Sequence, residues 1–139
     1  MAAADPSIVI TGPVPEITPY LWQSALSVAP MHIARGTQNK VIQAAAAGLP
    51  SVVTPAVYDG LPDAVRPACV VASDARLFAT SVGELLELTP AERRARAHRA
   101  SLHELTWERT LAPLRHILAS AIAHRSPGDT TRELAHARA

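Results

Sequence analysis

The apolar residues of this chain fall into short β-branched blocks separated by stretches with helical periodicity. Residues 8–11 (Ile, Val, Ile, Thr), bounded by Pro6 and Gly12, predict a first buried strand. Residues 26–30, 51–54 and 68–72 predict a second, third and fourth. Helix signals lie between and after them. Thr18 with Pro19 reads as an N-cap followed by a first-turn proline, opening a helix that carries Tyr20, Leu21 and Trp22. A helix over roughly residues 38–47 is stopped by Gly48 and Pro50. Asp74 caps the next, with Phe78, Val82, Leu85 and Leu86 at helical spacing. Thr89-Pro-Ala-Glu92 is a capping box with proline at the first helical position. Thr106 caps a last helix containing Trp107, Leu111, Leu114 and Leu118.

Strands that alternate with helices imply βαβ units and a parallel sheet covered by helices. The predicted class is therefore α/β, an incomplete Rossmann-like domain with a parallel sheet of about four short strands. Four strands are few for a doubly wound domain, so either one is hidden or the chain begins part-way through a fold. Residues 1–124 are expected to form this domain with its C-terminal helices. Residues 125–139, rich in Ser, Pro, Gly, Asp and Thr at their start, read as a loop or a disordered tail.

Composition narrows the class further. The 139 residues suffice for one core, and 48% hydrophobic with 4% aromatic residues means a core of Ala, Val, Leu and Ile. A net charge of +1 supplies no strong field for nucleic acid or an anionic membrane, so no nucleic-acid partner is expected. The lone Cys69 can form no internal disulfide, which fits a reducing compartment. No apolar run approaches the roughly 20 residues that span a bilayer. The first residues lack both basic and hydrophobic signal-peptide features, so a cytoplasmic location is expected.

The densest chemistry lies between Met31 and Pro55. Gly36 precedes a helix whose start carries Thr37, Gln38, Asn39 and Lys40, and a β-branched strand follows the helix. With Thr37 as N-cap, Lys40 is the third helical residue and Arg35 stands just outside. Both cations then crowd the positive end of the helix dipole, at a cost of roughly 0.3–1 kcal/mol each. A bound phosphate would remove the conflict; so would side chains that simply reach into water. A turn of about 100° per residue places Asn39, Lys40 and Gln43 within a third of the helix circumference, with Val41, Ile42 and Ala45 on the other sides.

Other candidates read as structural. The basic run from Arg93 to Arg99 lies on a capped amphipathic helix without interleaved aromatics, and reads as a solvated face. The six histidines show no metal-ligand spacing, and no metal is expected. Of these only His32 lies near the pocket, where a local structural role is expected. Ser24 and Ser51 lack a nucleophile-elbow context. Trp22 and Trp107 read as packing residues.

Several of these blocks resemble the C-terminal, donor-binding half of retaining GT-B glycosyltransferases of family 4. They are Ile8-Val-Ile-Thr-Gly-Pro-Val-Pro15, Pro19-Tyr-Leu21, Ser27-Val-Ala-Pro30, the stretch from Gly36 through Gln43 to Val53, and Thr106-Trp-Glu108. The form Ala34-Arg-Gly-Thr-Gln-Asn-Lys-Val41 is similar to a bacterial branch associated with exopolysaccharide synthesis. The resemblance covers roughly residues 3–120. It implies transfer of a sugar from a nucleotide-diphosphate donor to a glycan or lipid-linked acceptor, with retention and without metal or cofactor. The family's E-x(7)-E pattern falls on Arg35 and Gln43. Arg35 accepts no hydrogen bond but can hold a phosphate, and Gln43 keeps an acceptor oxygen for ribose. Gly36, Thr37, Gln38, Asn39 and Lys40 match the positions that touch sugar and diphosphate. Gly12 and Val14 match the loop near the nucleobase.

No residue here matches the family's catalytic region, and the basic pair that usually precedes this part of the donor domain is absent. The implied partners are the nucleotide-sugar and a missing N-terminal acceptor domain. No membrane span is expected, although peripheral membrane association of the full enzyme is compatible with the family. On this reading the chain is a C-terminal portion of a longer enzyme, inactive alone. A rival reading is a stand-alone, non-catalytic module that binds a nucleotide or a partner. A dehydrogenase is disfavoured, because no G-x-G-x-x-G follows the first strand.

Overall fold

A computed structural model describes residues 5–124. Among these, three strands form one parallel sheet in the order β1-β2-β3: β1 (Ser27–Ala29), β2 (Ser51–Val53) and β3 (Cys69–Val71). The register pairs Val28 with Val52 and Val52 with Val70. Every residue of β2 is buried. A central parallel strand with helices on both faces has no solvent side, which is why its sequence shows no alternation.

The helices are α1 (Thr18–Gln23), α2 (Asn39–Ala46), α3 (Pro55–Asp59), α4 (Ala75–Glu87), α5 (Pro90–Ala97) and α6 (Trp107–Ala123). α2 connects β1 to β2 and buries Val41, Ala44 and Ala45. Gly48, at φ +79°, ends it. The Leu49 N–H donates to the Ala44 carbonyl at 2.9 Å and the Gly48 N–H to the Ala45 carbonyl at 3.0 Å. This is a Schellman closure, and it requires the left-handed conformation that glycine adopts without strain. It returns the chain directly into β2 through Leu49 and Pro50, both buried.

α4 covers one face of the sheet, where Leu85 packs on Val52 and Ala72, with Leu26, Val70, Phe78, Val82 and Leu88 around them. Asp74 caps α4 as expected, accepting from the Leu77 N–H at 2.9 Å. Leu86 does not join this core, being half exposed. The residue after Leu85 is turned about 100° from it, away from the sheet. α5 begins with the expected capping box: the Glu92 N–H donates to the Thr89 hydroxyl, and the Thr89 N–H donates to Glu92. Arg93 donates to the carbonyls of Leu85, Leu86 and Leu88, which satisfies the end of α4. The Ser101 N–H donates to the Ala64 carbonyl at 2.8 Å and fastens the segment after α5.

Before β1, two sequence expectations need correction. Residues 8–11 form no strand, so the sheet has three strands among the described residues rather than about four. Ile8, Val9 and Ile10 are 51%, 79% and 75% exposed. β-Branched residues make an extended backbone easy, but only a hydrogen-bonded neighbour makes it a strand. Thr18 is the first residue of α1 rather than its cap. Ile17 takes that position and accepts from the Tyr20 and Leu21 N–H groups through its carbonyl. Pro19 keeps its place in the first turn.

The chain divides into two compact units, Met1–Leu102 and His103–Ala139. The described part of the second is chiefly α6, with Thr106 at its N-cap position but making no side-chain cap bond. Trp22 in the first unit and Trp107 in the second are both largely exposed rather than packed. No helix among the described residues is long and apolar enough to cross a membrane. The expected tail, residues 125–139, lies outside the described residues.

Candidate functional site

The three parallel strands point their C-terminal ends the same way, and the segments that leave those ends converge. This is where open α/β sheets bind ligands. The Thr54 hydroxyl, just past β2, donates to the Met31 carbonyl, just past β1. Pro30, His32, Thr54, Ser73, Asp74 and Phe78 line a cavity of about 240 Å³ there. Its wall is made by the exits of all three strands and the first turn of α4. His32 is exposed on its rim.

The loop from β1 to α2 carries the candidate anion ligands. Gly36 sits at φ +65°. The Gln38 side-chain amide donates to the Arg35 carbonyl at 3.1 Å and to the Gly36 carbonyl at 3.2 Å. Gly60, at the end of α3, holds the same loop from below: a Cβ there would stand 2.8 Å from the Gly36 carbonyl oxygen. Only a residue without a side chain permits that approach.

The start of α2 differs from the expected one by a residue. The N-cap is Gln38, not Thr37, and Lys40 is therefore the second helical residue. Gln38 spends its amide donors on the loop and caps nothing. No acidic residue occupies the first turn. The first N–H groups of any helix have no intrahelical acceptor, and here no side chain replaces one. Arg35, Thr37, Asn39 and Lys40 are all exposed. The Lys40 ammonium lies 2.9 Å from the Met31 sulfur, a weak acceptor. Among the described residues neither Arg35 nor Lys40 pairs with a carboxylate; the ion pairs are Arg66 with Asp63 and His103 with Glu104. Two exposed cations without a carboxylate partner among the described residues thus lie in the loop and first turn of an uncapped helix start. The arrangement favours an anion with several oxygens, such as a diphosphate.

Gln43 is exposed one turn further along α2, and with Ile17, Leu21 and Trp22 it borders a second cavity of about 270 Å³. Gly12, at φ +67° with open space around it, and the half-buried Val14 lie in the irregular run before α1. Residues 35–40 are consecutive, Gln43 continues them along α2, and no hydrogen bond ties Gly12 or Val14 to them among the described residues.

Cys69 offers no nucleophile. Burial pushes its thiol up to about 11, with the charge of Arg96 pulling the other way. Among the described residues no three His, Cys, Asp or Glu side chains gather as a metal site would require.

Residues 1–88 match the family model described as glycosyl transferases group 1. The chain belongs to the group 1 glycosyltransferase family. The matched stretch includes all three strands, the loop with Arg35 and Lys40, α2 and α4. No curated protein and no solved structure matches the chain. The activity of this family is glycosyl transfer, and the anion-ready α2 start suits the nucleotide-sugar donor that such transfer uses. Thr54, Ser73, Asp74 and Phe78 of this glycosyltransferase domain were not singled out as site residues by sequence. Thr54, Ser73 and Asp74 lie at or just past the ends of predicted strands, whereas Asp74 and Phe78 read only as a helix cap and an apolar helix position.

Proposed function

We propose that this domain holds the diphosphate of a nucleotide-sugar at the start of α2, for a retaining GT-B transferase of family 4. The observation that carries the reading is the uncapped helix start flanked by Arg35 and Lys40. Departure of the diphosphate from the anomeric carbon leaves an oxocarbenium-like sugar and puts negative charge on the phosphate oxygens. N–H groups of residues 39–40 and the two cations, fixed before the reaction, stabilise that charge without a metal ion. Gly36, Thr37, Gln38 and Asn39 meet the sugar and phosphates. Gln43 accepts from a ribose hydroxyl, and Gly12 and Val14 approach the base. The acceptor, a glycan or lipid-linked sugar of the exopolysaccharide type, is bound by a separate acceptor domain. The described residues therefore contribute donor binding rather than a complete active centre.

Calorimetric titration with UDP, GDP and ADP tests this. At least one should bind, and Arg35→Ala or Lys40→Ala should each weaken it by about 10- to 100-fold, the loss of a charge-assisted contact. Arg99→Ala, just past the end of α5, should leave the affinity unchanged. Equal losses at Arg99 and Lys40 would mean nonspecific attraction and would refute the assignment.

A further inference from the structure

Lys40 is tied to the end of β1 by an atom that carries no charge. Long helical side chains lean back toward the helix N-terminus, and Lys40, in the first turn of α2, leans back over the exit of β1. Its ammonium donates to the Met31 thioether at 2.9 Å. Met31 is itself fixed. Its carbonyl accepts from the hydroxyl of Thr54, a buried residue. The Thr54 N–H donates to the Ala29 carbonyl at 3.4 Å, and the Thr54 carbonyl accepts from the Val57 and Tyr58 N–H groups of α3. One line of contacts thus runs from the sheet and α3 through Thr54 and Met31 to the Lys40 ammonium.

The type of acceptor decides what this line of contacts does. A lysine side chain is flexible, and ordering it on a ligand lowers affinity. A carboxylate at position 31 would order it but also cancel its charge and compete with the ligand's oxygens. A thioether is a weak, neutral acceptor. It restrains the ammonium and leaves the full charge and the remaining N–H donors for an anion. We propose that Met31 is a positioning residue for the donor diphosphate, its sulfur holding Lys40 in place before binding without neutralising it. The inference rests on the diphosphate reading of the α2 start, and Met31 acts through Lys40 alone.

Calorimetric titration of Met31 variants with UDP, GDP and ADP tests it. Met31→Leu keeps the side-chain volume and removes the acceptor; it should raise the dissociation constant of the diphosphate that binds by about threefold to tenfold. Met31→Gln restores a neutral acceptor and should bind within about twofold of the parent chain, whereas Met31→Glu, a charged acceptor, should bind more weakly than Met31→Leu. In a Lys40→Ala background, Met31→Leu should change the constant by less than about twofold, a non-additivity that a general loss of stability does not produce. Met1 is the only other methionine, so labelling with carbon-13 at the methionine methyl groups gives a spectrum simple enough to follow Met31. Its resonance should move in Lys40→Ala, and in the parent chain when diphosphate is added. Binding that needs Lys40 but is equal in the parent and Met31→Leu chains overturns the inference and leaves the diphosphate site standing. So do equal Met31→Leu losses with and without Lys40. If none of the three nucleotides binds, the site and the inference fall together.

Discussion

The starts of α5 and α2 are built on opposite plans. At α5, Thr89 and Glu92 exchange hydrogen bonds across the first turn, proline occupies that turn, and an acidic residue faces the positive end of the dipole. At α2 none of these devices is present, and Arg35 and Lys40 sit where a carboxylate would be stabilising. α4, with Asp74 at its cap, follows the α5 plan. The starts of α1, α3 and α6 also lack a side-chain cap bond, but α1 and α3 have proline in the first turn and α6 has Glu108 there. Where α2 begins, at the exit of β1, the chain instead spends a glycine, a glutamine and a tight approach by Gly60 on shaping the loop. This contrast is what the proposed diphosphate site at the α2 start rests on.

Substitutions at the two starts should therefore separate stability from binding. The largest effect on stability is expected at Gly60. Gly60→Ala forces a methyl group against the Gly36 carbonyl and should cost about 1–3 kcal/mol in denaturant unfolding, as overpacking does. It should also weaken nucleoside-diphosphate affinity, because the same loop carries Arg35. Thr89→Ala should cost about 1 kcal/mol, the usual worth of an N-cap, with diphosphate affinity unchanged. The smallest effect is a pH dependence confined to α5. Hydrogen bonds from the Thr89 side chain and backbone hold the Glu92 carboxyl below its ordinary value of 4.5. Its contribution is therefore complete above that value and is lost as pH falls through the lower, folded-state value. The amide resonances of Thr89 and Glu92 should titrate with a midpoint below 4.5, and Glu92→Gln should abolish the titration. The α2 start, with no carboxylate in its first turn, should show no such titration.

What the sequence made legible follows the range of the forces involved. The capping box at Thr89, the cap at Asp74 and the Gly48 stop are local chemistry, and each is found where expected. Residues 51–54 and 8–11 carry nearly the same pattern, yet the first contains the buried centre of the sheet and the second is exposed. Pattern sets backbone preference; pairing depends on partners far along the chain. The one-residue error at the α2 cap has a similar origin. Thr37 is the better capping residue by type, but Gln38 is bound to the loop carbonyls and the helix begins after it. The Arg35–Lys40 cluster was legible because six consecutive residues carry it. The cavity of Thr54, Ser73, Asp74 and Phe78 was not, because three separate strand ends build it.

The most direct test of the open α2 start is a nitrogen-15 amide spectrum recorded during titration with the nucleoside diphosphate that binds. The account requires progressive shifts at the amides of Gly36, Asn39, Lys40 and Val41, while Ala91, Glu92 and Arg93 at the capped start of α5 stay fixed. Shifts centred on α5, or binding that leaves the α2 amides unmoved, would contradict it.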